Sequence, residues 1–239
     1  MSRRTLCVAL ALAVLSVAAP SVQSQQPSPR LRPHGKLFPP ENLGLLEAPD
    51  RDVWQRPDQI MDALAIAEAS VVADIGAGAG WFTVRLARRV GPNGVVYAEE
   101  VQKEALTAIS RRVTSEGLTN VRLVLGQSGD PRLPAGRLHA ALIVDAYHEA
   151  AESRVSLLRS LAKSLRPEGR IGVVGFKLEG LGPGPPTEER VSPETVVNDA
   201  KRAGLRLINE EKFLPFQYFL IFGLESRQTT ASRRPPAVY

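Results

Sequence analysis

The stretch Val71 to Trp81, VVADIGAGAGW, constrains the fold more than any other part of this 239-residue chain. An apolar run ends in Asp74 and Ile75, glycines follow at positions 76, 78 and 80, and a helix-like segment begins at Trp81. Gly76 and Gly78 permit backbone angles closed to other residues and leave bare main chain, with Ala77 between them, for a ligand to lie against. Free N–H groups at the start of the following helix point into the same space. A strand, a tight turn and a helix N-terminus in that order suit a nucleoside cofactor, and they also suit a turn with no ligand. The dinucleotide fingerprint G-x-G-x-x-G needs a third glycine at position 81, where this chain has Trp81. The spacing is G-x-G-x-G instead, which ranks a dehydrogenase behind the other readings.

Beyond this turn, strand and helix patterns alternate. Expected strands are Val71–Ile75, Val95–Ala98, Val121–Leu125, Ala140–Val144 and Ile171–Phe176, and expected helices are Trp81–Val90, 102–116 and 152–165. The first, fourth and fifth strands are continuously apolar, as parallel strands covered by helices on both faces must be. A lead-in helix is expected from Pro57 to about Ala69, and another helix from Pro193 to Ala203. Two closing strands, Arg206–Phe213 and Gln217–Phe222, are separated by so short a link that an antiparallel hairpin is predicted. The segment LEGLGPGPPTEER, 178–190, is too rich in glycine and proline for regular structure and is a candidate lid.

Residues 1–24 read as a secretory signal peptide: Arg3 and Arg4 precede the apolar run TLCVALALAVLSVAA, and a small-residue site, Val22-Gln23-Ser24, follows. The run is short for a membrane span, so cleavage is favoured over an uncleaved anchor, and a periplasmic or secreted location follows. Cys7, the only cysteine, would leave with the peptide, which removes disulfide, thiolate and cysteine-metal chemistry from the mature chain. Loss of Arg3 and Arg4 lowers the formal charge from +5 to +3. The remaining arginines are scattered without interleaved aromatics, so nucleic-acid binding is not indicated. Residues 25–50 are expected to form a flexible linker and a loosely structured arm, 51–223 one folded domain, and 224–239 a disordered tail.

With its acid two residues before the first glycine, DIGAGAG resembles motif I of class I S-adenosylmethionine-dependent methyltransferases. GPNGVVYAEE, 91–100, resembles the family's second-strand motif, and LRPEGR, 165–170, its approach to the fifth strand. The resemblance covers roughly Arg51 to Gly223. It implies the Rossmann-like class I methyltransferase fold, an α/β architecture with a mostly parallel seven-stranded sheet and an antiparallel C-terminal strand. The implied cofactor is S-adenosyl-L-methionine, held by Asp74, Gly76, Ala77, Gly78, Gly80, Glu100, Asp130 and Asp145. Glu100 aligns with the ribose-binding acid, whereas Glu99 occupies a usually apolar position. Asp130 is on the adenine side, and Asp145, in VDAYHE, matches the acid beside the methyl donor.

RDVWQRP and VDAYHE together resemble a signal-bearing branch of methyltransferase-like proteins. Asp145, Tyr147 and His148 are the candidate catalytic residues; an imidazole at His148 could take a proton from the acceptor or orient its loop. Trp54 would cover the cofactor or pack in the core. The expected activity is methyl transfer to a small-molecule or protein nucleophile. The alternative is a catalytically silent module that keeps the cradle for an adenosine-like ligand.

Overall fold

A computed structural model describes residues 37–180 and 182–225. The expected signal peptide, the linker through residue 36 and the tail from residue 226 lie outside the described residues.

The helices are α1 (Arg51–Gln55), α2 (Pro57–Ala63), α3 (Trp81–Val90), α4 (Lys103–Ser115), α5 (Arg154–Ser164) and α6 (Pro193–Arg202). The strands are β1 (Val71–Ile75), β2 (Val95–Glu100), β3 (Val121–Leu125), β4 (Leu138–Val144), β5 (Leu165–Phe176), β6 (Leu205–Glu211) and β7 (Gln217–Leu224). All seven form one sheet in the order β3-β2-β1-β4-β5-β7-β6. The pairings among β1 to β5 are parallel, and β7 runs antiparallel to both β5 and β6. The closing hairpin therefore inserts its second strand into the sheet and leaves β6 at the edge.

Alternation along the strands feeds two apolar layers. Val72 joins Val96, Leu142, Ile60, Leu64, Phe82, Leu86 and Phe219 on one face. Ala73 and Ile75 join Ile143, Leu158, Leu161, Val196 and Phe222 on the other. The period of α3 buries Phe82, Leu86 and Val90 and turns Arg88 outward. Each such large side chain contributes roughly 1.5–3 kcal/mol by leaving water.

Three local structures differ from the expectations. The lead-in region is two short helices, because Arg56 takes a left-handed conformation (φ 48°) and α2 stops well short of Ala69. Its end is a Schellman motif: Ile66 N–H reaches the Met61 carbonyl, Ala65 N–H reaches Asp62, and Ala65 has φ 54°. Alanine stands where that motif usually has glycine, so no stop signal is visible in the sequence. Between β4 and α5 the chain forms a 3-10 segment, Tyr147–Ser153, broken at Ala151 (φ 41°). Strand β5 starts at Leu165, six residues before the expected Ile171, pairing Leu165 with Leu138 before the register shifts near Arg170.

The expected loose arm contains a 3-10 helix, Pro40–Leu46, and is fastened to α4. Arg112 forms an ion pair with Glu47, and Gln102 Nε2 donates to the Phe38 carbonyl at 3.0 Å. At the other end, β7 runs one residue past the expected domain limit, to Leu224.

Candidate functional site

Strand order reverses between β1 and β4, and ligands in open parallel sheets bind outside the C-terminal ends of the strands at such a point. Asp74 near the end of β1, Glu99 and Glu100 at the end of β2, and Asp145 just after β4 gather there.

The turn after β1 places Gly76, Gly78 and Gly80 at φ 64°, 58° and 83°. A Cβ on Gly76 would lie 2.5 Å from that of Ala146, so the missing side chain lets this turn pack against the loop after β4. Ala77 N–H donates to the Glu99 carbonyl at 3.1 Å, which fixes the turn over β2. Gly80 N–H closes the turn on the Ala77 carbonyl at 2.9 Å.

Asp74 is buried and accepts from Thr83 Oγ1 at 2.6 Å, tying β1 to the first turn of α3. Burial lifts its pKa to about 6, with the Thr83 hydroxyl opposing and the Glu100 charge adding. Glu100 Oε1 accepts from Gly78 N–H at 2.8 Å and Oε2 from Val101 N–H at 3.0 Å. Its carboxylate thus borders the glycine turn. Burial raises its pKa, and these backbone bonds restrain the rise.

Glu99, one residue earlier, is enclosed instead: a Cβ on Gly126 would fall 1.8 Å from its Oε1. Burial, then repulsion from Glu100, pushes its pKa up to about 8, against a hydrogen bond from Gly76 N–H. Asp130 is exposed and closes its own loop, with Oδ1 accepting from Arg132 N–H at 2.9 Å.

Asp145 has φ 57°, an uncommon conformation for a residue with a side chain. Gln217 Nε2 lies 2.7 and 2.9 Å from its two carboxylate oxygens. Gln55 Nε2 donates to Gln217 Oε1 at 2.8 Å and reaches Asp145 at 3.4 Å, while Gln55 Oε1 accepts from Arg51 Nε at 2.5 Å. Both glutamines are fully buried. Burial raises the Asp145 pKa to about 6, and Arg51 is the foremost influence holding it down. The Arg51 guanidinium sits over one side of the Trp81 ring, 4.2 Å from its centroid, and that of Arg85 is 3.5 Å away.

Tyr147 is buried with its hydroxyl 3.1 Å from Asp199 Oδ2, an oxygen that Arg154 Nε also reaches at 3.2 Å. Its hydroxyl is thereby committed to α6, and it presents a ring to the site. His148 is half-buried and lines a cavity of about 20 Å³ together with Asp145, Phe176, Pro185, Arg190 and Tyr218. Trp54 packs against Phe176 and Phe216, with ring centroids 6.0 and 6.2 Å apart. The site therefore brings Asp145, His148 and the glycine turn together, whereas Asp130 and the Tyr147 hydroxyl turn to structural partners. Gln55, Gln217 and Arg51 are the site residues the sequence reading did not single out, although Arg51 and Gln55 lie inside RDVWQRP.

Comparison with known proteins fits this geometry. Residues 72–169 match the family described as "Methyltransferase domain", and the architecture is the Rossmann-like class I methyltransferase fold with a mostly parallel seven-stranded sheet. A structure described as a SAM dependent methyltransferase from Aquifex aeolicus superposes with a TM-score of 0.74 at 26% identity, over 78% of this chain and 98% of that one. Among curated relatives, the nocamycin O-methyltransferase of Saccharothrix syringae is 34% identical over 109 residues, 43% of this chain and 36% of the relative. The ubiquinone/menaquinone biosynthesis C-methyltransferase of Pasteurella multocida (strain Pm70) is 26% identical over 132 residues, 55% of this chain and 48% of the relative. The chain thus spans about half or less of each curated relative it matches.

Proposed function

We propose that this protein is an S-adenosylmethionine-dependent methyltransferase acting on a small-molecule acceptor. The observation that carries the reading is the Glu100 carboxylate fastened to Gly78 N–H at the mouth of the glycine turn. An acceptor of that kind suits a ribose diol, and the bare main chain of Gly76 to Gly78 suits close approach of a nucleoside. Three acids, Asp74, Glu100 and Asp145, favour a cationic ligand over an anionic dinucleotide. The residues present therefore fit the cofactor, which when bound would supply an electrophilic methyl group on a sulfonium. Asp74, Gly76, Ala77, Gly78, Gly80 and Glu100 would hold it, and Asp130 would border the adenine side.

Within this reading the chain contributes mainly position. Asp145, gripped by two amides, holds the loop after β4 in one conformation and sets His148 at the wall of the cavity. Orienting an acceptor against a fixed electrophile accounts for a large part of the barrier in such displacements. His148 is suited to take the acceptor's proton or to orient its oxygen. A small-molecule acceptor is supported by the names of the two curated relatives. A silent cofactor-binding module is not favoured by any of these features.

We further propose that the protein is exported, with residues 1–24 removed as a signal peptide. Twin-arginine export of a domain already folded around its cofactor would reconcile that destination with a cofactor made inside cells.

Calorimetry tests the central reading: S-adenosylmethionine and S-adenosylhomocysteine should bind, and NAD should not compete. Saturation by NAD with no response to either sulfur nucleoside would overturn it. Mass spectrometry of natively purified protein tests export, with a mature N-terminus near Gln25 as the expected result.

A further inference from the structure

Arg51 opens α1, and the i to i+4 spacing puts Gln55 on the same face of that helix. Its Nε donates to Gln55 Oε1 at 2.5 Å, and Gln55 Nε2 in turn reaches Asp145 Oδ2 at 3.4 Å. The guanidinium lies 4.2 Å from the centroid of Trp81, the residue that follows Gly80 at the end of the glycine turn. Arg51 thus touches the glycine-turn side of the site through Trp81 and the loop after β4 through Gln55. A helix of five residues has little stability of its own, so tertiary packing sets where α1 sits. Asp52 supplies part of that packing by accepting from Arg85 Nη2 at 2.7 and 2.8 Å, and Trp54 adds its contacts with Phe176 and Phe216.

Two guanidiniums approach the Trp81 ring, and their charges are met differently. Arg85, 3.5 Å from the centroid, is ion-paired with the exposed Asp52. Arg51 is half-buried, and burial pulls its pKa below the ordinary value. The attractions that oppose this come first from Asp145 and then from Asp74. Glu47 adds less and is itself ion-paired with Arg112. A guanidinium loses its proton only far above neutral pH, so Arg51 stays charged. Its charge therefore acts chiefly on two acids of the site.

Asp74 and Asp145, with pKa values of about 6, are both ionised at pH 7.5. S-adenosylmethionine carries a sulfonium charge that S-adenosylhomocysteine lacks, and apart from the methyl group the two molecules are the same. Two carboxylates acting alone would favour the sulfonium form strongly. That extra attraction fades as the sulfonium becomes a thioether, so it stabilises the ground state more than the transition state and slows transfer. A fixed positive charge beside the two acids counters both effects.

We infer that Arg51 sets the balance between the sulfonium substrate and the thioether product, its charge offsetting Asp74 and Asp145 so that S-adenosylmethionine is not held far more tightly than S-adenosylhomocysteine. This deepens the methyltransferase reading and rests on it. Arg51 acts through the field of the two acids, and Gln55 and Trp81 fix where its charge sits. The competing role is a direct ion pair from Arg51 to the carboxylate at the amino-acid end, which both ligands share.

Calorimetry on the full chain at pH 7.5 gives the dissociation constants of the two sulfur nucleosides and hence their ratio. Arg51→Met should shift that ratio by about tenfold or more in favour of S-adenosylmethionine, as removal of a unit charge from a partly buried site implies. Arg51→Gln, neutral but still able to hydrogen-bond Gln55, should shift it in the same direction. Arg51→Lys, which keeps the charge, should leave it within about threefold of wild type. A ratio unchanged in both neutral variants would overturn the inference even if both ligands bind more weakly. A common loss is what a bond to the shared carboxylate, or a merely structural role, would produce. A shift in Arg51→Lys as large as that in Arg51→Met would also overturn it, because charge would then not be the cause. Either result leaves the methyltransferase reading intact as long as the wild type binds both nucleosides, and failure of the wild type to bind either would overturn both.

Discussion

The side-chain amide of Gln217 lies 2.7 and 2.9 Å from the two carboxylate oxygens of Asp145, a residue 72 positions earlier in the chain. Gln55 completes the arrangement from α1, so three elements distant in sequence meet at one half-buried acid. The contact holds Asp145 in its left-handed conformation, which otherwise costs about 1–3 kcal/mol. It also ties the position of the loop after β4, and hence of His148, to the order of the N-terminal helices.

Gln217→Leu removes the amide nitrogen that lies against both oxygens of the Asp145 carboxylate and leaves the Gln55 amide with only Arg51 and Asp145 as partners. Urea unfolding should show a loss of about 1–3 kcal/mol relative to wild type. Because the freed carboxylate is still enclosed, the loss should be smaller at pH 5, where Asp145, with its pKa of about 6, is largely protonated. Equal losses at pH 5 and pH 8 would show that the amides do not act on the charged form.

Glu100 and Glu99 are adjacent, yet they face different surroundings. Glu100 borders the glycine turn through Gly78 N–H, and Glu99 is enclosed beneath Gly126. Glu100→Ala should weaken S-adenosylhomocysteine binding by roughly ten- to a hundredfold, the loss of one or two charge-assisted hydrogen bonds. Glu99→Gln should change it by only a few fold. Calorimetry on the two variants distinguishes them, and a reversed order would place the ribose on the other face of β2.

Much of this could be read from the residues before any coordinates. The turn Gly76 to Gly80 is local, whereas the preference for Glu100 over Glu99 comes from the family resemblance of GPNGVVYAEE, since both acids are buried at the end of β2. The buried amides could not be found that way: Gln55 and Gln217 are 162 positions apart, and a glutamine in isolation reads as a solvated side chain. The fate of the Tyr147 hydroxyl depends on Asp199, which comes from α6. Helix ends were missed where alanine takes the place of glycine, at Ala65 and Ala151, because the left-handed conformation there is imposed by packing and leaves no mark in residue type. The long start of β5 leaves no strand pattern in LRPEGR, because Pro167 and Gly169 interrupt it and both are accommodated at a register shift.

The buried acids also set the pH dependence of stability. Glu99 keeps its proton to about pH 8 in the fold and only to its ordinary value of 4.5 when unfolded. Asp74 and Asp145 keep theirs to about pH 6 against 3.8. Between these limits the folded state binds more protons than the unfolded one, so stability falls as pH rises. All three acids contribute between about pH 4.5 and 6, and Glu99 alone continues to about pH 8. Thermal unfolding of the protein without cofactor should therefore give a midpoint that declines from pH 5 to pH 8. In Glu99→Gln the decline above pH 6 should largely vanish. A wild-type midpoint that rises over that interval would mean that the acids are better solvated or better paired than their burial implies.

His148 separates a proton-transfer role from a positional one. It lines the cavity with Asp145 and Tyr218, on a 3-10 segment whose start is fixed by the Asp145 network. It sits on the wall of the cavity, outside the glycine turn, so His148→Ala should leave S-adenosylhomocysteine affinity within a few fold. If the imidazole takes the acceptor's proton, turnover should fall by roughly 10²-fold or more, because a positioned general base contributes about 10²–10⁴. His148→Gln keeps a hydrogen-bonding side chain of similar reach but cannot accept a proton at neutral pH. It should rescue turnover if the role is positional and fail to rescue it if the role is proton transfer. The assay requires an acceptor, found by screening small molecules with methyl-labelled cofactor. Turnover unchanged in both variants would remove His148 from the mechanism and leave the orientation of the acceptor to the other walls of the cavity.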